Sequence, residues 1–309
     1  MKGLLLLCLF CLAGCLRPGA DTALRLAEDG FREQSFQGEA CVLKAWLRPA
    51  KTPGGTLHVY VEGDGRAWLN RHVVSPDPTP GNPVGLHLAL ADPTREALLY
   101  LARPGQYLAE EELQRCDPVY WTAARMAPEV VADGNRVVDA IKSLSTASSV
   151  ALYGYSGGGG LAALMAVERN DVVFLGTVAG VLDHAWWTQN LRISPLARSL
   201  NPVDAARALA AVPQLHVAGM ADDVVAPAIS ERFCQAVASP AARRAALPGM
   251  EHEGPWERYW PELLREYRNG ARRFLPPAPP VHPQSKSDRR SPVAPSAQAG
   301  WATRADRAP

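Results

Sequence analysis

Five short apolar runs mark the middle of the chain, each stopping at glycine, proline or an acid: TLHVYVEGDG (Thr56–Gly65), ALLYLARPG (Ala97–Gly105), SVALYGYSG (Ser149–Gly157), VVFLGTVAG (Val172–Gly180) and QLHVAGMAD (Gln214–Asp222). Runs of this length, apolar with little alternation, predict strands buried on both faces, as in a parallel sheet. Between them the period lengthens. Over Pro128–Leu144, Val130, Val131, Val137, Val138 and Ile141 recur at helical spacing, and further helices are predicted over Gly158–Glu168, Ala228–Ala238 and Trp256–Phe274. Ahead of these, ACVLKAWLRP (Ala40–Pro49) predicts an antiparallel strand of an opening hairpin. Strand and helix in alternation mean an α/β fold, a doubly wound, mostly parallel sheet in a single domain, with ligands bound beyond the carboxyl ends of its strands. The chain shows no internal repeat and no second domain.

The two ends break this rhythm. MKGLLLLCLFCLAGC begins with one lysine followed by an apolar run of signal-peptide length, too short to span a bilayer. Leu12-Ala13-Gly14-Cys15 resembles the lipobox of bacterial lipoproteins, in which the cysteine is lipidated and becomes the new N-terminus; an ordinary signal peptide cleaved nearby is the alternative. Leu16 in place of an aspartate implies, by the same resemblance, an outer-membrane destination facing the periplasm. From Leu275 onward the chain is rich in Pro, Ala and Ser without an apolar period, and is expected to be disordered. The expected organisation is therefore a signal over 1–14, a lipid-anchored linker over 15–37, the α/β domain over 38–275 and a tail over 276–309. A net charge of +1 over 309 residues gives no electrostatic bias toward nucleic acid, and none is expected as a partner. Beyond the signal and Cys15, Cys41, Cys116 and Cys234 remain, which allows at most one internal bridge; their spacing matches no metal motif, so neither metal nor cofactor is expected.

The third apolar run carries the chemistry. Gly154-Tyr155-Ser156-Gly157-Gly158 fits G-x-S-x-G, where a sharp strand-to-helix turn holds the serine in a strained conformation and neighbouring chain must lack Cβ atoms. The helix that follows aims free N–H groups and its positive dipole end at the serine, an arrangement that favours an oxyanion. A phosphate-cradling turn is the competing reading; the strict G-x-G-x-x-G pattern is not satisfied and no Gly-Lys-Ser/Thr follows.

A serine nucleophile needs a base, and the base an orienting acid, in the chain order Ser, Asp or Glu, His when the fold is an α/β-hydrolase. Of seven histidines, only His252 and His282 lie beyond the candidate acids, and His282 falls in the proline-rich tail. His252 therefore remains, in a loop before the last amphipathic helix. For the acid, HVAGMADDVVAP ends the penultimate strand with two neighbours; Asp222 is the choice by its register ahead of Val224-Val225, Asp223 the alternative, and Asp183 a weaker candidate on an earlier strand. The oxyanion donors expected are the N–H of Gly157 and that of Asp64 in Glu62-Gly63-Asp64-Gly65, with Gly65 second. Negative charge at Glu62 and Asp64 opposes an oxyanion unless those side chains point away or are paired, with Arg66 and Arg103 as candidate partners. Trp121, Trp186 and Trp187 lie in segments able to cover the site or simply to pack, and His184 reads as a structural hydrogen-bonding residue.

Together, Glu62-Gly63-Asp64-Gly65, YLARPGQY, YWT, GYSGGG, VLDHAWW, SLNPVDAA and MADDVVAP, spread over Ala40–Phe274, resemble a family of uncharacterised bacterial α/β-hydrolases, many with lipoprotein signals. The resemblance implies a hydrolase fold and leaves the substrate open. It also implies a bridge from the position of Gly105, where members often carry cysteine, to that of Cys116; this chain departs there. The reading that follows is a lipid-anchored serine hydrolase of the cell envelope, acting on an ester, thioester or peptide bond of a small-molecule or acyl substrate. A non-catalytic envelope interaction protein on the same scaffold, and an acyltransferase, stay open.

Overall fold

The computed structural model describes residues 20–268. Cys15, the signal segment, His282 and the Pro/Ala-rich tail lie outside the described residues. In chain order the elements are α1 (Ala20–Glu28), β1 (Arg32–Gln37), β2 (Val42–Arg48), β3 (Thr56–Val61), α2 (Val84–Ala91), β4 (Leu98–Leu101), the short α3 (Glu110–Leu113), α4 (Pro128–Ser145), β5 (Ser149–Tyr155), α5 (Gly157–Val167), β6 (Val172–Val178), α6 (His184–Leu191), the short α7 (Pro202–Ala205), β7 (Gln214–Gly219), α8 (Ala228–Val237), β8 (Ala242–Leu247) and α9 (Trp260–Arg268).

All eight strands form one sheet in the order β1-β2-β4-β3-β5-β6-β7-β8. Only β2 runs against its neighbours β1 and β4; every pairing from β4 to β8 is parallel. The strand side chains alternate between two cores. Leu57, Val59 and Val61, Leu99 and Leu101, and Val150 and Leu152 face a core shared with α4, α5 and α8. Tyr60, Leu98 and Tyr100, and Ala151, Tyr153 and Tyr155 face the other, with α1, α2 and α9. Two covered faces explain why these strands read as continuous apolar runs rather than as alternating ones. Helix α5 is buried on every side from Gly157 to Ala166, which fits its place at the centre of the sheet.

The structure moves one expected boundary. The 15–37 stretch, expected to be a linker, contains α1 and β1: β1 pairs along its whole length with β2, and Leu26 and Phe31 are buried in the α2/α9 core. The REQSFQ of β1 lacks an apolar run because it is an edge strand, paired on one side only, and its burial alternates. The same reason hides β8, whose Arg243 and Arg244 face outward at the opposite edge.

Candidate active site

The turn from β5 to α5 places Ser156 at φ 50° and ψ −123°, a left-sided backbone conformation that a serine adopts only when its surroundings hold it there. They do so from two sides. The Ser156 N–H donates to Val178 O at 3.0 Å, and Ser156 O accepts from Val181 N at 2.9 Å and Gly159 N at 3.0 Å, tying the turn to the end of β6. On the other side a Cβ at Gly158 would overlap the backbone oxygens of Val61 and Glu62, and one at Gly154 the backbone of Gly158. Close approach of the β3 end is thus the reason for Gly158, and close approach of the first residues of α5 the reason for Gly154.

His252 and Asp222 come to the same point. His252 Nε2 lies 3.1 Å from Ser156 Oγ, and His252 Nδ1 lies 2.9 Å from Asp222 Oδ2. Because a carboxylate only accepts, Nδ1 carries the proton and Nε2 is left as the acceptor for the serine hydroxyl. The other Asp222 oxygen accepts from Val224 N (2.9 Å) and Val225 N (2.7 Å), so the carboxylate is held by its own turn and buried. Asp223 is exposed. Asp183 is engaged elsewhere: it caps α6 through Trp186 N at 3.1 Å and pairs with Arg232 at 2.8 Å. The His252 carbonyl accepts from the Tyr155 hydroxyl (3.0 Å) and from Trp256 Nε1 (2.8 Å), which fixes the loop that carries the imidazole.

The loop after β3 lies against the nucleophile. A Cβ at Gly63 would meet the Tyr155 ring at 2.9 Å and Ser156 Cβ at 3.5 Å, and one at Gly157 would fall on the Asp64 carboxylate. Both acids of this loop are paired. Glu62 turns away from the serine and accepts from Gly63 N (2.7 Å), Tyr100 Oη (2.8 Å), Gly85 N (3.1 Å) and Leu86 N (3.2 Å), serving as the acceptor for the first turn of α2. Burial still raises its pKa against those four hydrogen bonds. Asp64 bridges two buried arginines, Arg103 at 3.2 Å and Arg125. Burial alone would raise its pKa; the charges of Arg125 and then Arg103, with a smaller contribution from His252, hold it below the usual carboxylate range. Arg103 is one of the two expected partners. Arg125 takes the place expected of Arg66.

Trp187 is buried and donates from Nε1 to Val224 O at 2.8 Å, with Arg125 over its ring at 6.0 Å, so it braces the segment that carries Asp222. Trp121 donates to Ser75 O at 3.1 Å, and Trp186 lies under Arg232. His184 is buried at the start of α6, its backbone N–H donating to Asn201 Oδ1 at 2.9 Å; neither ring nitrogen meets a hydrogen-bond partner among the described residues, so the side chain does not make the structural hydrogen bond expected of it. Cys116 pairs with Cys41 rather than with the position of Gly105. Gly105 has φ +84°, and a Cβ there would press on Pro78 and the Trp121 ring at 2.8 Å, so cysteine does not fit that position here. Among the described residues, no group of three or more His, Cys, Asp or Glu side chains is arranged to hold a metal ion.

No family model matches the sequence, and no curated protein matches it. Solved structures do. An alpha-beta serine hydrolase homologue from Coxiella burnetii aligns with a TM-score of 0.53 at 18% identity over 78% of this chain and 97% of its own. Est1E from Butyrivibrio proteoclasticus aligns with a TM-score of 0.54 at 15% identity over 77% of this chain and 99% of its own. A puromycin-hydrolyzing peptidase from Mycobacterium tuberculosis gives 0.53 at 18% identity over 80% of this chain, which spans 40% of that protein. With its strand order, its single reversed strand and its serine turn between β5 and α5, the chain has the α/β-hydrolase fold.

Proposed function

We propose that this protein is a serine hydrolase that cleaves an ester, thioester or peptide bond through an acyl-enzyme. The observation that carries the reading is the hydrogen-bonded line Ser156–His252–Asp222 at a strained turn. The names of the solved neighbours, a serine hydrolase homologue and a puromycin-hydrolyzing peptidase among them, support the same chemistry.

In this mechanism His252 Nε2 takes the Ser156 proton as Oγ bonds to the substrate carbonyl carbon, and the carbonyl π pair moves onto oxygen. Asp222 stabilises the imidazolium and keeps its ring in register. The N–H groups of Gly157 and Asp64 receive the oxyanion, and the paired Asp64 carboxylate adds little opposing field because two guanidinium groups answer it. Collapse expels the leaving group, which takes the proton from His252; water then repeats the sequence on the acyl-enzyme. The protein is exported and anchored through a lipid on Cys15, with the substrate drawn from the envelope.

A fluorophosphonate probe tests the chemistry. It labels the wild-type protein covalently and leaves Ser156→Ala unlabelled. A folded wild-type protein that does not label, and turns over no ester, overturns the proposal in favour of a non-catalytic scaffold.

A further inference from the structure

The Gly63–Asp64 peptide is pinned by a side chain that plays no part in the mechanism above. Gln106 is almost wholly buried, at 1% exposure. Its Oε1 accepts from Arg103 N at 3.0 Å and its Nε2 donates to Gly63 O at 2.9 Å. The amide can be placed only one way round, since a backbone N–H must meet its oxygen and a backbone carbonyl its nitrogen. Among the described residues no peptide bond is cis, so the carbonyl of Gly63 and the N–H of Asp64 point in opposite directions across one plane. Holding the Gly63 carbonyl on Gln106 therefore turns the Asp64 N–H the other way. Among the described residues, no hydrogen-bond acceptor engages that N–H. The neighbouring N–H, that of Gly63, is consumed by Glu62 Oε1 at 2.7 Å. A Cβ at Gly65 would crowd the same amide, with Nε2 at 2.8 Å, so the loop wraps around Gln106.

We infer that Gln106 is a positioning residue: by binding the Gly63 carbonyl it sets the peptide plane that presents the Asp64 N–H to the oxyanion. The inference rests on the serine-hydrolase reading. Glycine at 63 has no side chain to resist rotation of that plane, so without the amide the peptide is free to turn its carbonyl toward the serine and repel the charge it should receive.

Two variants separate this role from general damage. Gln106→Glu keeps the shape and the acceptor for Arg103 N but loses the donor to Gly63; Gln106→Leu loses both without adding charge. Turnover of a p-nitrophenyl ester is measured per active site, with sites counted by fluorophosphonate titration at completion, so that a misfolded fraction does not enter kcat. Both variants are expected to lower kcat by about 10- to 100-fold with KM changed less than about two-fold, the pattern of an interaction made only in the transition state. Affinity for a trifluoromethyl ketone, whose carbonyl becomes an oxyanion when Ser156 adds to it, is expected to fall by a similar factor. Unchanged kcat per site in Gln106→Leu, or a loss confined to Gln106→Glu, overturns the positioning role while leaving the hydrolase reading intact. Wild-type protein that neither labels nor turns over overturns the hydrolase reading, and the positioning role with it.

Discussion

Asp222 and Asp223 are adjacent and chemically identical, yet one is buried on two backbone N–H groups and His252 while the other is exposed. Asp222→Asn should remove the acceptor that fixes the His252 tautomer and lower kcat by about 10⁴-fold. Asp223→Asn should leave kcat within about two-fold, and steady-state kinetics on one ester substrate compare the two. Equal losses would mean that the acid is not the one facing His252. Much at this scale is legible in the sequence. Chain order selects Ser156, an acid and His252, and steric need explains Gly154 and Gly158, whose missing Cβ atoms would meet backbone. Arg125 and Gln106 are not legible in the same way. Each reaches the site from a loop distant in sequence, 61 residues from Asp64 for Arg125 and 43 from Gly63 for Gln106, and neither belongs to a spacing that local chemistry requires.

At the scale of the element, β7 carries a buried histidine whose protonation is linked to folding. His216 is fully buried between β6 and α8, with Nδ1 2.8 Å from Thr177 Oγ1 and Nε2 3.1 Å from Gln214 Oε1. Gln214 spends its Nε2 on Leu209 O and Val212 O, so its oxygen accepts and His216 Nε2 donates, a neutral ring. Burial first, and Arg244 second, lower its pKa to about 3. An unfolded histidine binds its proton near pH 6.5, so between those values the unfolded chain holds a proton that the native one does not, and stability falls as pH is lowered from about 6.5 toward 3. His87 and His184, lowered mainly by burial, act in the same direction. Urea midpoints measured across this range should drop on acidification, and His216→Asn should be less stable at pH 7.5 but lose less on going to pH 4.5. An unshifted slope in the variant would place the proton uptake on other groups. The N-terminal elements give a second test. Leu26 is wholly buried on the α2/α9 core, and Leu26→Ala should cost about 3 kcal/mol in denaturant unfolding, whereas a dispensable linker would lose nothing. Interior strands announce themselves by unbroken apolar runs; β1 and β8 escape notice because an edge needs no second apolar face.

Across the whole molecule, the proposed anchor and the fold make separable predictions. Membrane fractionation of the full chain in a Gram-negative host should show Cys15→Ser released to the soluble fraction with its ester turnover kept, and an unchanged distribution would sink the anchor. The Cys41–Cys116 bridge closes a loop across a separation of 75 residues, worth about 4 kcal/mol in the chain-entropy account. That loop encloses the β3 turn with Asp64, and also Arg103 and Gln106; Ser156, Asp222 and His252 all lie outside it. The cross-link therefore tethers the loop of one proposed oxyanion donor, Asp64, while the other, Gly157, and the Arg125 that pairs with Asp64 lie beyond it with the proposed nucleophile. If the proposed hydrolysis is right, a reductant mild enough to leave the protein folded should loosen the Asp64 loop and leave Ser156 in place, with the serine still consuming probe while turnover slows.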